Sequence, residues 1–201
     1  MARLVSKIYG EALFEYAKEQ GQLEKMYEES IDIIGVFEST DDLKEFLSNP
    51  KTNTDDKITF VYDLFTKKIW TGPIAKTFSF FNIDITKGEN PKILDFISII
   101  IKKGRQKEIV PILRYFNHLT LKDKNIGEAL VTSASELSDE KKKLLEEKLI
   151  NTTSYDKFII DYKVDDNLVA GLKIKIDDKV YDNTYKTKIF DITKSLRGLK
   201  V

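Results

Sequence analysis

The spacing of apolar residues changes character past about residue 122, and that change constrains the fold more than any other feature. Up to there apolar residues recur every three or four positions; from residue 129 short stretches that alternate are interspersed with helical ones. A 3.6-residue repeat lines one stripe of a helix, whereas a two-residue repeat lines one face of a strand. With 201 residues the chain can form one large or two small domains. The expected fold is therefore mainly α. An N-terminal amphipathic helical bundle of six or seven helices over 1–123 is followed by a small α+β domain over 124–201.

Val5, Ile8, Tyr9, Ala12, Leu13, Tyr16 and Ala17 predict a first helix over 4–19, with Gly21 as its stop. Leu23, Met26, Tyr27, Ile34 and Phe37 mark a second, its stripe interrupted by Ser30. Thr40 before two aspartates reads as the N-cap of a short helix carrying Leu43, Phe46 and Leu47, which Asn49-Pro50 ends. Thr54 is expected to cap a fourth helix with Ile58, Val61, Leu64 and Phe65. Pro73 and Pro91 each sit where a first helical turn accepts proline. Ile74, Phe78, Phe81 and Ile85 follow the former; Ile93, Leu94, Ile97 and Ile101 follow the latter, up to a stop at Gly104. Lys107–Lys122 supplies the last bundle helix, and the polar stretch Lys122–Gly127 is the expected linker.

Beyond the linker, Ala129–Ser133 reads as a strand and Ser138 opens a helix with Leu144, Leu145 and Leu149 inside. Phe158–Val164 is rich in β-branched and aromatic residues, hence a strand. Val169–Ile176 puts Leu172, Ile174 and Ile176 on one face and Lys173 and Lys175 on the other. Asp177-Asp178 is a two-residue connection to Lys179–Asp182, which predicts a hairpin. Ile189, Ile192 and Leu196 predict a final helix.

Charge narrows the function. Lys+Arg and Asp+Glu both number 33, with 19 of each sign up to residue 124 and 14 of each beyond it. No basic field exists to concentrate nucleic acid or anionic lipid. The chain has no cysteine, which excludes disulfides and thiolate metal sites. Its start lacks a signal-peptide core, and Ile97–Ile101 falls far short of the roughly 20 residues that span a bilayer. His118 is the only histidine and reads as a partly exposed structural residue. No glycine-rich phosphate loop is present. The carboxylates Asp161, Asp165, Asp166, Asp177, Asp178 and Asp182 miss the spacing of a calcium loop and read as turn formers. No catalytic residue, metal ligand or cofactor site is expected.

Five pieces, in order, carry a resemblance across nearly the whole chain. They are Tyr9-Gly-Glu-Ala-Leu-Phe-Glu-Tyr-Ala17 with Gly21–Glu24; Phe46-Leu-Ser-Asn-Pro50; Lys102-Lys-Gly-Arg105 with Ile112-Leu and Phe116; Val131–Leu137; and Val164–Asp182. Together they resemble the delta subunit of F-type ATP synthases, the family of the mitochondrial oligomycin-sensitivity-conferring protein. Two mild departures are Ala170-Gly171, where the family commonly has paired glycines, and Asp182-Asn-Thr184, where it has Asp-Gly-Ser. A larger one is Trp70–Gly88, an insert with a helical pattern where the family passes quickly between helices.

The resemblance implies a non-catalytic peripheral-stalk subunit of a proton- or sodium-translocating ATP synthase. The implied partners are the N-termini of alpha subunits, the C-terminal helices of the b subunit and the beta subunit of the same head. It also implies a place on the cytoplasmic face of the cell membrane, with membrane contact only through the complex and no nucleic-acid partner. By position, the alpha-subunit groove would use Tyr9, Ala12, Leu13 and Ile99. Read without the resemblance, these are ordinary core residues, and composition and helix count also fit a helical adaptor or regulator unrelated to ATP synthesis, which the α+β unit at Val164–Leu196 speaks against. A hydrolase built on the aspartate cluster is a third reading.

Overall fold

The computed structural model describes residues 2–66, 92–168, 170–177 and 179–184. The helix expected after Pro73, the insert Trp70–Gly88, Pro91 and the final helix around Ile189, Ile192 and Leu196 lie outside them. The chain divides into two compact units, Met1–Thr120 and Leu121–Val201.

The first unit is helical: α1 (Ala2–Glu19), α2 (Leu23–Ser39), α3 (Asp41–Ser48), α4 (Thr54–Phe65) and α5 (Lys92–Lys102), then a 3-10 turn (Gln106–Glu108) leading into α6 (Ile109–Asp123). Two glycines end helices as the sequence predicts. Gly21 has φ +62°; its N–H bonds the Lys18 carbonyl at 3.1 Å, and Gln22 N–H reaches Ala17 at 3.0 Å. Gly104 repeats the pattern at φ +68°, with bonds to Ile101 and from Arg105 to Ile100. In each, a left-handed residue lets two orphan carbonyls be satisfied. Leu13, Met26, Ile33, Phe65, Ile97 and Phe116 are among the buried residues of one continuous core. Polar ties join the helices as well: Arg114 to Glu38 and Ser30 to Asn117 join α6 to α2, and Tyr62 to Asp95 joins α4 to α5. Burial, followed by the Asp95 bond, pushes the Tyr62 hydroxyl up to about 12.

Several local expectations are revised. Ser30 does not break the buried stripe of α2 but lies inside it, fully buried, its hydroxyl bonding the Tyr27 carbonyl at 2.7 Å. Satisfied in this way, a serine hydroxyl is cheap to bury. Asn53, not Thr54, occupies the N-cap of α4, and Thr54 is the first helical residue. Thr40 and Ser138 hold their N-cap positions, yet neither side chain makes the capping bond.

The second unit continues with β1 (Ile126–Ser133), α7 (Asp139–Thr152), β2 (Lys157–Val164), β3 (Gly171–Ile176) and β4 (Lys179–Thr184). The sheet order is β2-β1-β3-β4. β1 pairs parallel with β2 across the α7 crossover and antiparallel with β3. The hairpin forms with Ile176 opposite Lys179, and Asp177 takes the positive φ of 50° that a tight connection needs. Ala129, Leu149, Phe158 and Ile176 form a small core with Leu145 and Ile150 packed on it. Leu144, expected inside, is 65% exposed because it falls on the outer side of α7.

The expected linker shrinks to Lys124-Asn125 between α6 and β1. Asn125 turns the chain at φ 57°, its side-chain amide bonding the Ser154 carbonyl at 3.0 Å and Asp156 at 2.9 Å. Gly127, expected to close the linker, lies inside β1. A Cβ there would stand 2.8 Å from Tyr155 Cδ2 and closer still to the Phe158 ring. Glycine is thus required by close packing, not by a turn.

Candidate partner-binding surface

α1 carries more apolar residues than one buried face can use. Its inward side is made by Ser6, Gly10, Leu13 and Ala17, all buried. Gly10 lets α1 approach α6 closely, since a Cβ there would sit 2.6 Å from Tyr115 Cδ1 and 3.2 Å from the Ile112 carbonyl. Beside this side runs a second row, Leu4, Ile8, Ala12 and Tyr16, at uniform four-residue spacing. Leu4 is 62% exposed, Ile8 56% and Tyr16 42%; Ala12 is exposed as well. On α5, Ile99 is 49% exposed while Ile97, Ile100 and Ile101 are buried.

The two helices meet through aromatic contacts. The half-buried Tyr9 ring stands edge-on to Phe96 of α5, centroids 6.2 Å apart at 69°. The Arg105 guanidinium lies 5.3 Å from the Tyr9 centroid, a cation–π contact next to the glycine stop of α5. Of the four residues assigned by position, Ala12 and Ile99 are thus exposed, Tyr9 is half-buried between α1 and α5, and Leu13 is wholly inside the core. Leu13 has no surface to offer a partner. Leu4, Ile8 and Tyr16 were not assigned to the surface; their signal in the sequence is the four-residue row through Ala12.

In the second unit, alternation puts Ile159, Asp161 and Lys163 of β2 on the same face as Leu130 and Thr132 of β1, Lys173 and Lys175 of β3, and Val180 and Asp182 of β4. This face is mostly charged, with Ile159 and Val180 exposed among the charges. The opposite face packs against α7.

Two of the aspartates make local hydrogen bonds. Asp165 accepts the Asn167 backbone N–H at 3.0 Å and its side-chain amide at 2.9 Å, bonds that hold its carboxyl below the usual range. Asp177 accepts the Tyr155 hydroxyl at 2.8 Å; that bond is the leading cause raising the Tyr155 pKa. Asp178 lies outside the described residues. Among the described residues no group of three or more His, Cys, Asp or Glu is arranged to hold a metal ion. His118 is half-buried beside Tyr115, ring centroids 6.3 Å apart. No helix among the described residues is long and apolar enough to cross a membrane.

Comparison with known proteins places these features. The sequence profile of the ATP synthase delta (OSCP) subunit matches residues 5–88 and 75–196. The two matched stretches overlap inside Trp70–Gly88. ATP synthase subunit delta of Lachnoclostridium phytofermentans is 39% identical over 196 residues, covering 98% of this chain and 97% of that protein. The subunit of the same name from Brevibacillus brevis is 30% identical over 189 residues, covering 94% and 96%. Among solved structures, a chain of the Toxoplasma gondii mitochondrial ATP synthase hexamer superposes with a TM-score of 0.71 over 95% of this chain and 96% of that one. Its sequence identity is only 12%, so that likeness speaks to the fold.

Proposed function

The chain belongs to the ATP synthase delta (OSCP) subunit family, and from that membership we propose that it is a stator subunit of an F-type ATP synthase with no catalytic activity of its own. In this reading the helical unit binds the N-terminal segments of alpha subunits on the catalytic head. The α+β unit meets the C-terminal helices of the b-subunit stalk. The subunit is peripheral, held at the cytoplasmic face of the membrane by the assembly.

The observation that carries the reading is the uncovered apolar row on α1, together with the exposed Ile99 on α5. Each exposed apolar Å² costs about 25 cal/mol until it is covered. A four-residue row on a rigid helix, flanked by a second helix, is the form of surface that accepts an amphipathic helix. A stator does no chemistry; it must hold two bodies still through extended complementary contact. The balanced charge on both units suits many rim contacts without attracting nucleic acid or lipid.

Co-purification tests it. The tagged chain, recovered from native membranes, brings down alpha, beta and b subunits. Clean recovery of the chain alone from the same membranes overturns the proposal.

A further inference from the structure

The apolar row of α1 has an acidic border. Glu11, Glu15 and Glu19 form a second exposed row at the same four-residue spacing. Measured from Ala12, Glu11 lies about 100° around the helix, Glu15 about 60° and Glu19 about 20°, all on the side away from Tyr9 and Leu13. Glu11 is already engaged, 3.9 Å from the Lys7 ammonium and 3.5 Å from the Tyr115 hydroxyl. Glu15 and Glu19 have no ion pair or hydrogen bond among the described residues. The nearby Lys18 ammonium lies 5.4 Å from the Phe14 ring centroid.

Glu19, in the last turn, also works against its own helix. The partial positive charge at a helix N-terminus favours acids there, and the partial negative charge at the C-terminus disfavours them. α1 has no acidic residue in its first turn and carries Glu15 and Glu19 toward its end. They border the exposed apolar row of α1. We infer that the segment seated on α1 is an amphipathic helix whose apolar stripe is bordered on one side by two basic residues about one turn apart, which pair with Glu15 and Glu19. The inference rests on the proposal that this row is a docking surface, and adds the charge that the occupant must carry. Rim charges of this kind act on register and on the rate of encounter.

The test uses the full chain and a synthetic peptide of the alpha-subunit N-terminal segment from the same organism, followed by calorimetric titration. Raising salt from about 0.01 M to about 1 M contracts the Debye length from ~30 Å to ~3 Å. The native chain binds several-fold more weakly at the high salt. The variant carrying Glu15→Gln and Glu19→Gln binds about fivefold more weakly than the native chain at low salt, as two exposed pairs predict, and equally at high salt. A peptide with its Lys and Arg replaced by Gln reproduces the loss and shows no further loss with the variant. Because the peptide arm leaves this chain unaltered, a folding defect does not imitate the result. Equal low-salt binding by variant and native chain overturns the inference and leaves the docking surface standing. Absence of any binding by the native chain overturns both.

Discussion

Two residues of α1, about 1.4 helical turns apart, carry opposite expectations. Leu13 is completely buried in the core of the helical unit, whereas Ile8 is 56% exposed. Truncating a buried leucine to alanine costs about 2–5 kcal/mol, from lost transfer energy and the cavity left behind. For a unit of this size ~1 kcal/mol shifts the melting temperature by about 4 °C, so Leu13→Ala lowers it by about 10 °C or more. Ile8→Ala removes a side chain already half in water, and its melting curve moves by no more than ~2 °C. Binding reverses the order. Full burial of an isoleucine is worth about 1.5–3 kcal/mol. A little over half of that surface remains to be covered by a partner, so Ile8→Ala weakens the alpha-peptide complex by ~1 kcal/mol, about fivefold. Differential scanning calorimetry and peptide titration on the two variants separate the effects. A large fall in melting temperature for Ile8→Ala, or unchanged affinity with a normal melt, refutes the assignment of this row as the outward face.

Three further outcomes follow from particular sites. Gly127→Ala drives a methyl group into the Tyr155 and Phe158 rings and destabilises the α+β unit by about 1–3 kcal/mol; a melt equal to the native one shows that the rings move aside freely. Burial holds the Glu29 carboxyl above its ordinary value of 4.5, with Lys25 opposing, and its Oε2 has no hydrogen-bond partner. Native and unfolded chains are both protonated well below 4.5, and stability falls as pH rises from there through the raised native value. Glu29→Gln therefore raises the melting temperature at neutral pH and loses that advantage in acid; no gain at neutral pH contradicts this. The side-chain bonds of Asn125 pin the passage from α6 into β1, so limited proteolysis of the native chain is expected to spare 123–126. Asn125→Ala, which removes two side-chain bonds and strains a left-handed residue, makes that connection an early cut; early cleavage in the native chain refutes this expectation.

What the sequence disclosed depended on whether the signal was local. The stops at Gly21 and Gly104 and the two-residue hairpin were legible because left-handed geometry and turn length are set by a few adjacent residues. The helices of the first unit were legible from their stripes. The sidedness of α1 was not, because two adjacent rows, Val5-Tyr9-Leu13-Ala17 and Leu4-Ile8-Ala12-Tyr16, merge into one broad stripe when only apolar character is counted. Which row faces inward is decided by Gly10, whose missing side chain admits Tyr115, a partner 105 positions away in sequence. Gly127 misled for the same reason: it reads as a linker glycine until Phe158 and Tyr155 are placed over it. Leu144 and Leu145 are neighbours of equal hydrophobicity, and only the direction of the β-sheet below α7 tells them apart. Ser30 shows the converse, a polar residue made fit for the core by the carbonyl one turn back and by Asn117 on another helix.

The two-residue passage from α6 into β1 has a mechanical consequence. β1 is an interior strand of the sheet, bonded to β2 along one edge and to β3 along the other. Tension applied to the α+β unit through its N-terminal connection therefore enters at an interior strand and runs along it. Backbone bonds lie across the strand direction, so both ladders are loaded in shear, many bonds at once, and none can be peeled open singly. A pull on β4, which among the described residues borders only β3, meets one ladder. The chain thus enters this unit at the strand best placed to bear sustained strain.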